Sequence, residues 1–215
     1  MKCIWIVLLL ALALMSSNGF SQNVSLGIIG GASIVQATPT STYTNDIARG
    51  GLGFGLSYSI GAVARLTTDQ SRISIVGRLT HFHAGASGNL IEEGLFQQGA
   101  GQVLSKLDVW SLSVGPEWNI LGSRAFSPFV GASYILSSFG KSHYKLTNAM
   151  GSVDYLAGGG VRSGFGLDAG VHFSVTSTIQ VDAWTSYNFM SLGSVFGPGD
   201  FRAWGANTAI LFAVF

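Results

Sequence analysis

At 215 residues, with a formal net charge of +1, the chain is long enough for one domain and shows no charge excess of the kind nucleic acid requires. Only 10% of residues are charged, against about 25% in soluble domains, while glycine is 30 of 215 and mean hydropathy is +0.42. A surface that meets only water is excluded by this balance: something apolar covers part of it.

The chain opens "MKCIWIVLLLALALMSSNGFSQ", with Lys2, an apolar run from Ile4 to Met15, and then small and polar residues. At about a dozen residues, the run falls short of the roughly 20 that a spanning helix needs, so it predicts a secretory signal peptide over 1–22 and an exported domain over 23–215. Cys3 precedes the apolar run. The exported domain is therefore expected to have no disulfide and no lipid-bearing cysteine.

Beyond residue 22 the apolar residues come every second position, the period of a strand with two unlike faces. From Leu52 the even positions are Leu52, Phe54, Leu56, Tyr58 and Ile60, and the odd ones are glycine or serine. From Phe165 one face reads Phe165, Leu167, Ala169, Val171, Phe173, and the other Gly164, Gly166, Asp168, Gly170, His172. From Ile179 the apolar face is opposed by Gln180, Asp182, Trp184, Ser186 and Asn188. Eight such stretches are predicted: 24–34, 51–66, 72–83, 108–121, 128–138, 161–175, 179–190 and 202–215. Their connections alternate strictly. Those at 67–71, 122–127 and 176–178 are tight, and those at 35–50, 84–107, 139–160 and 191–201 are long.

An even number of strands, several long enough to cross hydrocarbon when tilted, with short turns at one rim and long loops at the other, predicts an all-β fold: an eight-stranded antiparallel up-and-down transmembrane β-barrel. In lipid every backbone amide must find a protein partner, so the last strand must pair with the first. The final "NTAILFAVF" is then the closing strand, ending on Phe215. Both its faces are apolar, and the alternation leaves open which of them meets lipid.

In its leader, eight strands, loop alternation and terminal Phe215, the chain resembles the small outer-membrane barrels that include the OmpA transmembrane domain and OmpX. The resemblance implies residence in the outer membrane of a Gram-negative cell and a role for Phe215 as the signal read by the outer-membrane assembly machinery. The strands opening "GFGL" at Gly53 and Gly164 also look like barrels common in Bacteroidota.

By the alternation, Arg65, Arg72, Arg78, Glu117, Asp168, His172 and Asp182 face the lumen, from five of the eight strands. An eight-stranded interior is just wide enough for side chains to fill, and an unpaired buried charge is costly. Opposite charges there are therefore expected to pair, either as a plug or as a gate whose pairs exchange partners to admit small ions. His81 and His83 in "THFHAG" share a strand face near the outer rim. Their motif supplies no cysteine or carboxylate to complete a metal site, so no metal is expected. "GGLGFGL" and "GGGVRSGFGL" do not follow the nucleotide-binding pattern GxGxxG between a strand and a helix, and no cofactor is expected. No serine is marked as a nucleophile beside a histidine, so an enzyme acting on lipid is the least supported reading. Trp110, Trp118, Tyr134, Tyr187, Phe189 and Trp204 are expected in girdles at headgroup level.

The loops carry Glu92, Glu93, Phe96, Gln97 and Gln98 but no motif that names a ligand. The expected function is structural or surface-interacting: a largely plugged barrel presenting four external loops, with membrane lipid and a surface partner as its contacts. A narrow porin-like channel for ions or small solutes is the alternative.

Overall fold

The computed structural model describes residues 22–37, 56–68, 72–90, 101–121, 125–140, 142–148, 151–157, 160–191 and 200–214. All regular structure among them is strand. In chain order these are β1 (Gln22–Ala37), β2 (Leu56–Thr68), β3 (Ile73–Leu90), β4 (Gly101–Asn119), β5 (Phe126–Phe139), β6 (Ser142–Asn148), β7 (Gly151–Ala157), β8 (Gly160–Ser174), β9 (Ile179–Ser191) and β10 (Asp200–Ala213). Every pairing is antiparallel. Strands β1–β5 and β8–β10 close into an eight-stranded up-and-down barrel, sealed where β1 pairs with β10 from Ser25↔Ala213 to Ala37↔Phe201. The expected fold is the observed one.

The side-chain alternation explains why the sheet closes with this hand of faces. Ile28, Ile60 and Phe165 point outward with 65%, 64% and 66% of their surface exposed, whereas Ile29, one residue along from Ile28, keeps 2%. A wall of exposed isoleucine, leucine, phenylalanine and tryptophan is untenable in water at this density and suits a hydrocarbon surround. Trp110, Trp118, Tyr134, Phe189 and Trp204 are on this outer wall, and Tyr187 packs against Trp204 with ring centroids 4.5 Å apart. On β10, Ala209 and Leu211 are buried while Ile210, Phe212 and Val214 are exposed, which decides the face that the sequence left open. Pro116 on β4 interrupts the ladder to β5 between Val114↔Tyr134 and Glu117↔Gly131, because it has no N–H to give.

The tight turn after β8 is held by Thr176, whose Oγ1 accepts from the N–H groups of Thr178 (3.2 Å) and Ile179 (3.0 Å). On the opposite rim the structure departs from the expected long loops. β3 and β4 stay paired out to Leu90↔Gly101, so most of 84–107 is strand, and β6 adds to β4 from Gly101↔Asn148 to Lys106↔His143, with β7 beyond it. The connection read as a loop over 139–160 is thus largely a hairpin. The expected signal peptide over 1–22, save Gln22 at the start of β1, lies outside the described residues, as do Phe215 and Glu92, Glu93, Phe96, Gln97 and Gln98.

Candidate functional site

The buried charges converge in the lumen toward the tight-turn rim. Arg65 on β2 donates from Nη2 to Glu117 Oε2 (3.0 Å) and to Asp182 Oδ2 (2.6 Å), and its Nε reaches the same Glu117 oxygen at 3.3 Å. Arg78 on β3 donates to the other oxygen of Glu117 and, at 2.9 Å, to Asp168 on β8. His172 Nδ1 is 2.8 Å from Asp182 Oδ1, and its Nε2 faces Glu117 at 3.9 Å. Six of the seven lumen residues expected from the sequence are therefore one network, drawn from β2, β3, β4, β8 and β9. Two guanidinium groups meet three carboxylates, and a proton on His172 would bring the set to neutrality.

Arg72 is the correction. It precedes β3 at the tight-turn mouth, exposed, with its nearest partner the carbonyl of Ile120 at 3.5 Å, so it takes no part in the network. Strand parity was right for it, but parity says nothing of height along the barrel axis.

Three features hold the network that the charges alone did not reveal. Phe129 stacks on the His172 ring, with centroids 4.1 Å apart and planes within 4°. The Arg78 guanidinium lies over the Trp184 ring at 5.1 Å, a cation–π contact. Gly131 is in register between Glu117 and Asp168, where a Cβ would come 3.1 Å from Glu117 Cγ and 3.7 Å from Asp168 Cβ. The glycine leaves the width that two neighbouring acids need. Gly131→Leu is expected to displace Glu117 and cost about 1–3 kcal/mol, and Gly131→Ala less, as read from urea unfolding in micelles. Equal stability of all three proteins would show that the wall yields freely there.

Toward the long-loop rim the lumen changes character. Above Arg78 and Asp168 lies a cavity of about 90 Å³ lined by every strand of the barrel, including Ser59, Thr80, Ser111, Ser113, Ser133, Ser186, Asn188 and Asn207. Over it Phe82, Phe139 and Phe201 meet edge to face, with Phe201 centroids 6.5 Å from Phe82 and 5.4 Å from Phe139. Val109 and Met190 are buried alongside them. These aromatic positions follow the same parity as the charges. Phe82 falls in an expected strand, whereas Phe139 and Phe201 fall in the expected loops 139–160 and 191–201, so the meeting of the three across the lumen was not legible.

His81 and His83 point outward at the outer rim, as expected. The neighbouring strand brings them a carboxylate the motif lacked: Asp108 Oδ1 is 2.7 Å from His83 Nδ1 and 3.4 Å from His81 Nε2. Tyr58 and Trp110 flank the two rings. This is a hydrogen-bonded cluster, and among the described residues no group of three or more His, Cys, Asp or Glu is arranged to hold a metal ion.

The sequence matches no protein-family model and no characterised protein. Solved structures with a similar course of strands include Neisserial surface protein A (NspA), at 11% identity and a TM-score of 0.49 over 87% of this chain and 96% of that one. Ail, the attachment invasion locus protein of Yersinia pestis, in complex with the heparin analogue sucrose octasulfate, has 12% identity and a TM-score of 0.43 over 89% of this chain and 97% of its own. The outer membrane protease OmpT from Escherichia coli has 12% identity and a TM-score of 0.45 over 93% and 99%. The likeness is one of fold, and a shared course of strands carries neither substrate nor partner from one barrel to another.

Proposed function

We propose that this protein is an outer-membrane barrel of the OmpA and OmpX kind with a structural or surface-interacting role, and that its lumen is a plug. The observation that carries the reading is the double closure of the lumen. Six charged or titratable side chains crowd its tight-turn half, and three phenylalanines with Val109 and Met190 crowd the other end. The part of the fold free to meet other molecules is the sheet formed by β3, β4, β6 and β7 beyond the rim, where β3 and β4 run on past the barrel as a paired hairpin. Outer-membrane lipid around the wall, the assembly machinery acting on Phe215, and a partner at the outer sheet are the contacts this role entails. No catalytic, cofactor or metal site forms part of it.

Two measurements test it. The refolded protein in a planar bilayer is expected to be electrically silent, and a stable ohmic conductance would replace this reading with that of a narrow channel for ions or small solutes. Replacing 86–105 and 142–157 with short turns should leave a barrel that still folds, while surface binding or envelope integrity of cells carrying it is lost. A trimmed barrel that preserves both would remove the surface role.

A further inference from the structure

The cavity above the charge network has walls of mixed chemistry and an aromatic roof. Its sides mix hydroxyl and carboxamide groups, each able both to donate and to accept a hydrogen bond, with the apolar Ile29 and Ile135. Two wall pairs satisfy each other, Ser111 with Ser137 at 2.7 Å and Asn207 Nδ2 donating to Ser186 Oγ at 3.1 Å, while Ser59, Ser113 and Ser133 line the space from three different strands. At the floor, Arg78 and Asp168 are paired, so they present a dipole and not a net charge. Arg78 Nε is buried and has no acceptor within the protein. Trp184 flanks the floor with an aromatic face.

We propose that this cavity is a binding site for a small uncharged polyol, taken in from the outer side past the phenylalanine roof. Size sets the first limit. On this measure a water molecule needs about 10–15 Å³, so 90 Å³ holds about six to nine waters, or one compact solute of about that many non-hydrogen atoms. Chemistry sets the second. An ion passing between Phe82, Phe139 and Phe201 would shed its hydration with nothing to replace it, a penalty a neutral solute largely escapes. Once inside, hydroxyl groups of the solute find serine and asparagine partners on several sides, and the Trp184 ring for its carbon face. The ionic floor closes the far side, so the site is a pocket and not a passage. The proposal stands whether or not the outer sheet binds a partner.

The test uses the full refolded protein in deuterated micelles, with glycerol as the probe and formate as a charged probe of smaller size. Nuclear Overhauser effects from glycerol methylenes to the Trp184 ring and to the methyl groups of Ile29 and Ile135, together with saturable shifts of those signals, are expected for glycerol and not for formate. Ser133→Leu, which fills the cavity, should abolish them, and Ser113→Leu on another strand should do the same should the first variant not fold. Phe201→Ala should speed glycerol exchange several-fold. Contacts from water alone, shifts that grow linearly without saturating, or formate contacts equal to those of glycerol would each overturn the proposal. Exchange quickened by Asp168→Asn and untouched by Phe201→Ala would overturn the outer route.

Discussion

Glu117→Ala is expected to lower the unfolding free energy of the barrel by about 3–5 kcal/mol, the range for breaking a buried ion pair by removing one partner. Glu117 is 1% exposed, accepts from both Arg65 and Arg78, and faces His172 Nε2 at 3.9 Å. Its loss leaves two guanidinium groups with a single carboxylate each in a space with little room for water. Asp168→Asn should cost less, because Asp168 accepts from Arg78 alone and the amide oxygen keeps that acceptor. The pair Arg65→Ala and Glu117→Ala should be strongly non-additive, since the second change removes the excess negative charge that the first one leaves. Equilibrium unfolding in urea, with folded and unfolded forms separated by their electrophoretic mobility, measures all four. A cost under about 1 kcal/mol for Glu117→Ala would mean that the lumen is wet, and a plug would no longer describe it.

Val114→Arg separates a barrel in lipid from a barrel in water. Val114 is 44% exposed and stands on β4 midway between Trp110 and Trp118, both on the outer wall. In a soluble protein a substitution at so exposed a site would fall within about 0.5 kcal/mol of neutral. At the midplane of a bilayer, arginine on the lipid face costs about 2–4 kcal/mol. Folding into vesicles of defined thickness should show that penalty, falling toward zero when arginine replaces Trp118 near the tight-turn rim. A flat profile along the wall would remove the membrane from the account of this fold.

Much of this was legible in the residues. The number of barrel strands, their approximate bounds, the inward and outward faces and the side of the tight turns all follow from a period of two, because lipid on one side and a crowded lumen on the other punish every misplaced side chain. The charges could be assigned to the lumen for the same reason. Parity failed where a face was not under that pressure. β10 is apolar on both faces, and only its pairing to β1 and β9 showed that Leu211 is inside and Phe212 outside. The segments over 84–107 and 139–160 read as loops because their residues do not alternate, and only backbone pairing to a neighbour makes them strands.

Height along the barrel was the other quantity out of reach. It depends on strand tilt and on the register between neighbours, which bring together residues far apart in sequence. That is why Arg72 could not be separated from Arg65 and Arg78 in advance, and why Asp108 could not be set beside His83. The stacking of Phe129 on His172, the meeting of Phe82, Phe139 and Phe201, and the polar cavity beneath them share that origin. The sequence by itself determined a closed, lipid-facing barrel with charges inside it, since local alternation is enough to specify a two-faced strand. Only the tertiary structure decided which charges pair and what seals each end, because those contacts are made across the lumen by strands whose relative register no single stretch of chain encodes.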